Sequence, residues 1–515
     1  MRRFSILLAG GALAVAGTTT SGATASTTPA VAAPAAAATA KADFDGDGFS
    51  DLAVPVSGES AGSVDDAGAV HVLYGGPGGV TAGGDQVWSQ DTAGIKGVAE
   101  YGERMASATT TGDFDGDGYA DLAMGSPIAS DDGGQGVVNV LYGSPSGLTA
   151  AGDQLWHRGV AGLGTSSYDF GAALAAGDFD GDGDDELAVG APFDAGTVSV
   201  IPGSPAGLTS VGARVWDRDV PGIPGDAFED DAFGARLDTG DFGRGDFDDL
   251  VVVVREEDNQ GSLKDNGAAH VLYGSAGGLT TDGNQYWSQD SPGVLGISEP
   301  DELFGYATAA GNFGKTAEDD LAVSTALEAA DGGARGGTVN VLYGSPEGLA
   351  AVGNQYWSQD SPGVTEVAED GDLFGADLAA ADFGRTGQAD LAIAAPGETV
   401  GAVAQAGVVH VLHGSASGLT ASGSQLWHRN RSGVLGANAA TAWFGKSLFA
   451  ADVGRSGRAD LRVGVPGQRV GGNDGAGAVH LLYGGANGLT ASGDQVWHQN
   501  SPGVLDAAEE FDSFG

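Results

Sequence analysis

Residues 112–127 read GDFDGDGYADLAMGSP, and the acids in this stretch are spaced for cation chemistry. Asp113, Asp115, Asp117 and Asp121 stand on alternate residues, with Tyr119 filling the one gap. Alternate side chains of a tight loop turn toward one centre. Four carboxylates gathered there repel, and some must protonate, unless a cation sits among them. Calcium takes six to eight oxygen ligands, carboxylate and carbonyl, around a glycine-bearing turn. The expected ligands are Asp113, Asp115, Asp117, the Tyr119 carbonyl and Asp121. A second copy offers Asp43, Asp45, Asp47, the Phe49 carbonyl and Asp51. A third offers Asp178, Asp180, Asp182, the Asp184 carbonyl and Glu186. Gly48, Gly118 and Gly183 stand where these turns must be sharp. About three bound calcium ions are therefore expected.

Four later stretches keep the outline and change the chemistry. They read DFGRGDFDD (241–249), NFGKTAEDD (312–320), DFGRTGQAD (382–390) and DVGRSGRAD (452–460). The third residue is no longer acidic, and the fourth is always basic: Arg244, Lys315, Arg385, Arg455. The expectation is that this tethered cation neutralises the first and ninth acids where calcium is not used.

These turns are parts of a longer repeat. An aromatic-Gly pair recurs at Tyr101-Gly102, Phe170-Gly171, Phe233-Gly234, Phe304-Gly305, Phe374-Gly375, Phe444-Gly445 and Phe514-Gly515. The acid turn follows, then a run such as DLAVGAP, then a run such as VNVLYG, then Gln-x-Trp or Arg-x-Trp. The closing tryptophans are Trp88, Trp156, Trp216, Trp287, Trp357, Trp427 and Trp497. Each unit holds four short β-type segments separated by turn residues, with no sustained helical period. Seven such units predict an all-β, seven-bladed β-propeller of four-stranded blades. One blade cannot bury both faces alone, so the ring must close. Phe514-Gly515 placed ahead of residue 37 restores the repeat spacing to Asp43, so the N-terminal alanines are expected to form the inner strand of the first blade. The alternative is a chain cut at the start of an eighth unit.

The order F-G, D-x-D-G-D-G-x-x-D-L, G-A-P resembles the FG-GAP repeat of integrin α-subunit propellers and related bacterial secreted proteins. The resemblance spans residues 37–515 and is strongest where the acid turn is complete. It implies a seven-bladed propeller with Ca²⁺ between the first two strands of a blade, opposite the usual ligand loops. Adhesion is a weaker implication, because a fold does not set a function.

Composition narrows the setting. The chain has 515 residues, no cysteine and a net charge of −47. That charge disfavours nucleic acid and anionic membrane surfaces, which bind Lys and Arg. Arg2-Arg3 followed by the apolar run 4–17 and A-x-A sites at 23–25 and 30–32 predicts a signal peptide over 1–25, with cleavage as late as 32 the alternative. An Ala/Thr/Pro-rich spacer follows over 26–36, and the propeller fills 37–515. The expected product is a secreted, extracellular monomer without a membrane span.

Catalytic readings find less support. Gly58-Glu59-Ser60-Ala61-Gly62 matches G-x-S-x-G, but that nucleophile elbow needs a strand-to-helix turn, and here it falls between two strands. Arg244-Gly245-Asp246 lies inside an altered acid turn. His71, His270, His410 and His480 share one repeat position, and His157, His428 and His498 each follow a repeat Trp, so none stands out as a unique base. The acidic stretch 229–233, with Asp230 and Asp231, is the one candidate for a hydrolase or lyase. The favoured reading is a binding, adhesion or scaffold module for an extracellular protein or glycan, recognised through loops such as 217–232, 288–303, 358–373 and 428–443.

Overall fold

The two most apolar segments of each repeat become the two central strands of a sheet, because both of their faces are covered. In the second blade, Asp121–Ser126 and Val137–Tyr142 are buried at every residue. The segment ending in Gln-x-Trp, Thr149–His157, is half exposed and forms the outer strand. The innermost strand, Ala108–Gly112, reads ATTTG. Small side chains suit a strand that converges with its counterparts in the other blades on a common axis, five of which are described.

The computed structural model describes residues 42–129, 136–160, 162–163, 168–193, 195–225, 231–255, 266–299, 302–329 and 333–515. Among them there is no helix. Each blade is an antiparallel sheet whose strands lie in chain order from the axis outward. The blades run 42–88, 108–157, 173–216, 233–287, 308–357, 378–427 and 448–497. The protein is thus the expected all-β, seven-bladed propeller. The first blade shows Leu52–Val56, Ala69–Tyr74 and Thr81–Trp88. Its expected innermost strand, the spacer and the signal peptide lie outside the described residues.

The core is divided among the seams between blades. Seven apolar clusters each join one blade to the next, and the last joins Leu52, Val54 and Val56 of blade 1 to Val479, Leu481 and Phe514. The Gly515 N–H donates to the Pro55 carbonyl at 3.0 Å, as the Gly445 N–H does to Gly464 in blade 7. Phe514-Gly515 therefore occupies the aromatic-Gly slot of blade 1, and the ring closes there.

A polar stitch crosses most seams and accounts for the Tyr-Gly and Gln-x-Trp signatures. The Tyr142 hydroxyl donates to Gln154 at 2.8 Å and accepts from the Leu208 N–H of the next blade at 3.0 Å. Gln154 Nε2 then donates to the Leu208 carbonyl at 3.0 Å. Tyr74, Tyr273, Tyr343 and Tyr483 repeat the pattern. Satisfying buried backbone groups across a seam fixes the blade-to-blade register.

One repeat assignment needs correction. Tyr101, expected in the aromatic slot of blade 2, is 78% exposed. Met105-Ala106 fills that slot instead. Met105 is buried, its N–H donates to the Ala67 carbonyl at 2.8 Å, and Ala106 takes the left-handed φ of 64° where Gly171 has 92°. From Met105 to Asp113 is eight residues, the spacing of the other repeats. An apolar thioether serves the packing, so an aromatic signature misplaced it by four residues.

Candidate metal centre

The acid turns join the first and second strands of each blade. In blades 1 to 3 the first, third and ninth acids come together. One carboxylate oxygen each from Asp43, Asp45 and Asp51 lie within 4.8 Å of one another, as do those of Asp113, Asp115 and Asp121, and of Asp178, Asp180 and Glu186.

Backbone N–H groups shape the turn around these acids. Asp43 accepts from Gly46, Asp47 and Gly48 at 2.8, 3.1 and 2.9 Å. Asp178 accepts from Gly181, Asp182 and Gly183 in the same way. The fourth residue, Gly46, Gly116 or Gly181, has φ of 73°, 65° or 76°, a left-handed backbone that glycine adopts without strain.

The fifth acids fall outside the tight groups. Asp47, Asp117 and Asp182 each accept the N–H of residue seven, at 2.9, 3.0 and 3.1 Å. That bond ties the backbone of Phe49, Tyr119 and Asp184 into the turn.

The ninth acid is shared by all the blades, for a second reason. Asp121 is buried and accepts from Phe114 N at 2.8 Å and Gly143 N at 2.9 Å. Asp51, Asp249, Asp320 and Asp460 make the equivalent pairs of bonds. Glu186 makes the Phe179 bond, and Asp390 the Gly414 bond. In six of the blades the acid staples the turn to the glycine at the end of the third strand.

The electrostatics of the complete turns call for a positive charge. Burial pushes the carboxyls of Asp51, Asp121 and Glu186 up to about 8, and the charges of their neighbouring acids add to it. Burial and the charges of Asp117 and Asp113 also raise Asp115. Asp115 Oδ1 is buried and has no hydrogen-bond partner, whereas Asp45 and Asp180 Oδ1 each accept the N–H two residues on. The donor set is all oxygen, the set a hard cation takes.

Two of the basic residues of the last four turns act on the acids by charge at a distance rather than by contact: Lys315 favours the ionised form of Asp320, and Arg455 that of Asp460, against the burial that raises both. Arg244, Lys315, Arg385 and Arg455 form no ion pair with the first or ninth acid. Three of them lie over the tyrosine of their own blade, at 4.8 Å for Arg244 on Tyr273, 3.3 Å for Lys315 on Tyr343 and 4.0 Å for Arg455 on Tyr483. Arg385 faces a blade with His413 in place of the tyrosine and donates to the Gly423 carbonyl at 3.2 Å. All four hold φ between 74° and 78°, the conformation of the glycine they replace. The residue that neutralises the first acid of blade 6 comes from the next blade: Arg458 meets Asp382 at 2.9 Å. His413 meets Asp390 at 3.1 Å.

Asp231 is buried against Arg218 at 2.9 Å, which occupies the carboxylate, and Asp230 lies outside the described residues. Residues 58–62 run from one strand to the next through an Ala61–Val64 bridge, matched by Val400–Val403 in blade 6. His71, His270, His410 and His480 sit edge-on to the slot phenylalanines Phe514, Phe233, Phe374 and Phe444.

The FG-GAP repeat matches residues 35–73, 105–141 and 170–201, the three units with complete acid turns. A phosphatidylinositol-glycan-specific phospholipase D from Rattus norvegicus is 29% identical over 170 residues, 33% of this chain and 19% of the relative, so the chain matches about a fifth of that protein's length. Among solved structures, BBS1N in complex with ARL6DN is 9% identical with a TM-score of 0.40, covering 82% of this chain and 86% of that one. Rhamnogalacturonan lyase YesW is 13% identical with a TM-score of 0.34, covering 77% and 78%.

Proposed function

We propose that this chain, a seven-bladed propeller carrying FG-GAP repeats, is a secreted binding module stabilised by calcium in its first three blades. The grouped carboxylates and the unsatisfied Asp115 Oδ1 carry the calcium reading. Asp43, Asp45 and Asp51 would hold one ion, Asp113, Asp115 and Asp121 a second, and Asp178, Asp180 and Glu186 a third. Asp47, Asp117 and Asp182 would complete the shells directly or through water, with the carbonyls of Phe49, Tyr119 and Asp184. Calcium supplies the positive charge that lets buried carboxylates stay ionised. Among the described residues no helix is long and apolar enough to cross a membrane.

The binding face is the one opposite the acid turns. Large apolar side chains stand exposed there, on the loops that lead from the outer strand of one blade to the next aromatic slot. Tyr101, Ile297, Val367, Leu435, Trp443 and Phe511 are among them. Exposed aromatic and aliphatic groups gathered on one face mark interaction surfaces. A cavity of about 320 Å³ is lined by Arg236, Arg255, Tyr306, Asp377 and Lys446, at the starts of the inner strands of blades 4 to 7 and the end of the second strand of blade 4. These cations, in a chain of net charge −47, favour an acidic group on the extracellular protein or glycan ligand.

A glycan array and a panel of purified extracellular proteins, probed with the calcium-loaded chain, test the reading. The combined variant Tyr101→Ser, Trp443→Ser, Phe511→Ser should lose binding while its melting temperature holds. Retention equal to that of the unmodified chain would overturn the assignment of the face.

A further inference from the structure

The seam that closes the ring carries a second cluster of metal-ligand side chains, unlike the acid turns in chemistry and on the opposite face. Glu59 follows the second strand of blade 1, His71 lies in its third strand, and Asp506 comes from the loop leading out of blade 7. One ligand atom from each lies within 4.8 Å of the other two. A second grouping of the same span joins Glu59 to Glu509 and Asp512.

His71 is fully buried, and neither of its ring nitrogens has a hydrogen-bond partner. In a neutral imidazole one ring nitrogen keeps an acceptor lone pair, and here neither nitrogen spends one on a hydrogen bond. Asp506 and Asp85 are the charges that act on it, and both are acidic. None of Glu59, Asp506, Glu509 and Asp512 pairs with a Lys or Arg among the described residues. Glu59 accepts from the Gln499 amide, which leaves it further lone pairs.

The other blades serve as internal controls. A bare ring nitrogen alone is not distinctive, since His270 has two as well. The position of Asp506, nine residues after the repeat Trp, is glycine at Gly97, Gly225, Gly296 and Gly436. All four glycines have positive φ, and Asp506 keeps that backbone at 72°. The seam between blades 5 and 6 repeats the residue types as Glu366, Glu398 and His410, yet among the described residues that set does not close to the same span.

We propose that Glu59, His71 and Asp506 form a site for a first-row divalent transition ion such as zinc, with Glu509 and Asp512 beside it. One imidazole nitrogen with carboxylate oxygens is a donor set that zinc and its neighbours take, whereas calcium prefers oxygen alone. The ion would bridge blade 1 to the loop from blade 7, and so clamp the ring at its closure.

The test is calorimetric titration of zinc into the full chain with calcium in excess, so that the acid turns are filled. One zinc site is expected, and cobalt substituted for zinc should give visible absorption bands. His71→Asn introduces the residue that Asn139 and Asn340 already carry at this position, so the fold tolerates it. Asp506→Gly likewise introduces a residue used by four other blades at that turn. Each should weaken zinc binding by about tenfold or more and leave calcium binding unchanged. His410→Asn should leave zinc binding as it was. No zinc binding in calcium, zinc binding that survives His71→Asn, or loss on His410→Asn alone would overturn the proposal.

Discussion

Blades 1 to 3 and blades 4 to 7 hold the same turn by different chemistry. The first group places a glycine at the left-handed fourth position and gathers three carboxylates beneath it. The second group puts an arginine or lysine at the same φ, and where a tyrosine is present the cation lies over its ring. In both, the ninth acid is retained because it satisfies buried backbone N–H groups. The lesson is that the acid common to every blade is architectural. The acids confined to the first three blades are the ones that complete a group close enough to hold a metal ion.

The largest expected separation of the two groups comes from removing calcium. A site held at ten times its Kd adds about 1.4 kcal/mol, so three sites add on the order of 4 kcal/mol. Chelation should lower the melting temperature and speed hydrogen exchange in blades 1 to 3 first. Loosening that began in blades 4 to 7 would reverse the comparison.

A somewhat smaller loss should follow from Asp320→Ala in blade 5. It strands the N–H groups of Phe313 and Gly344, for a cost of about 2–4 kcal/mol. Denaturant melts should show the same loss with calcium or with chelator. A loss that calcium repaired would mean the ninth acid of a basic blade is a metal ligand after all.

Asp115→Ala acts on the other side of the divide. Equilibrium dialysis should count two calcium ions instead of about three, and the stability lost in calcium should be about 1.4 kcal/mol. Seven ions in the unmodified chain, or none, would break the division between the blades.

The smallest effect belongs to Arg455→Gln. Losing a solvent-facing cation from the Tyr483 ring should cost about 0.5–1 kcal/mol. The same value with and without calcium is expected, and a value that vanished at saturating calcium would restore a neutralising role for the basic residue.

Much of the fold was legible because a propeller is repetitive. The alternation of fully apolar runs with Gly-rich turns, copied seven times, permits one closed solution, and the aromatic-Gly pair at the very end of the chain pointed to the closing seam. The error at Tyr101 shows the limit of a signature. The slot demands a buried apolar side chain followed by a left-handed residue, and Met105-Ala106 meets that demand without the expected letters. Charge alone predicts the help that Lys315 and Arg455 give Asp320 and Asp460, and it misses the tyrosine ring as the group in contact. From the sequence Arg455 is nearest to the acids of its own turn. In space its guanidinium lies 4.0 Å over the Tyr483 ring and its Nε donates to the Gly78 carbonyl of blade 1.

The linear order of residues by itself determined the blade count, the strand assignments and the three acid-rich turns, because each depends on contacts within a span of a few residues to one repeat. Tertiary structure alone decided what meets across a seam. Glu59, His71 and Asp506 are separated by up to 447 positions in the chain. Only ring closure brings them within 4.8 Å. A short-range pattern is written in spacing, whereas a seam between the first and last blades exists only once the whole circle is built.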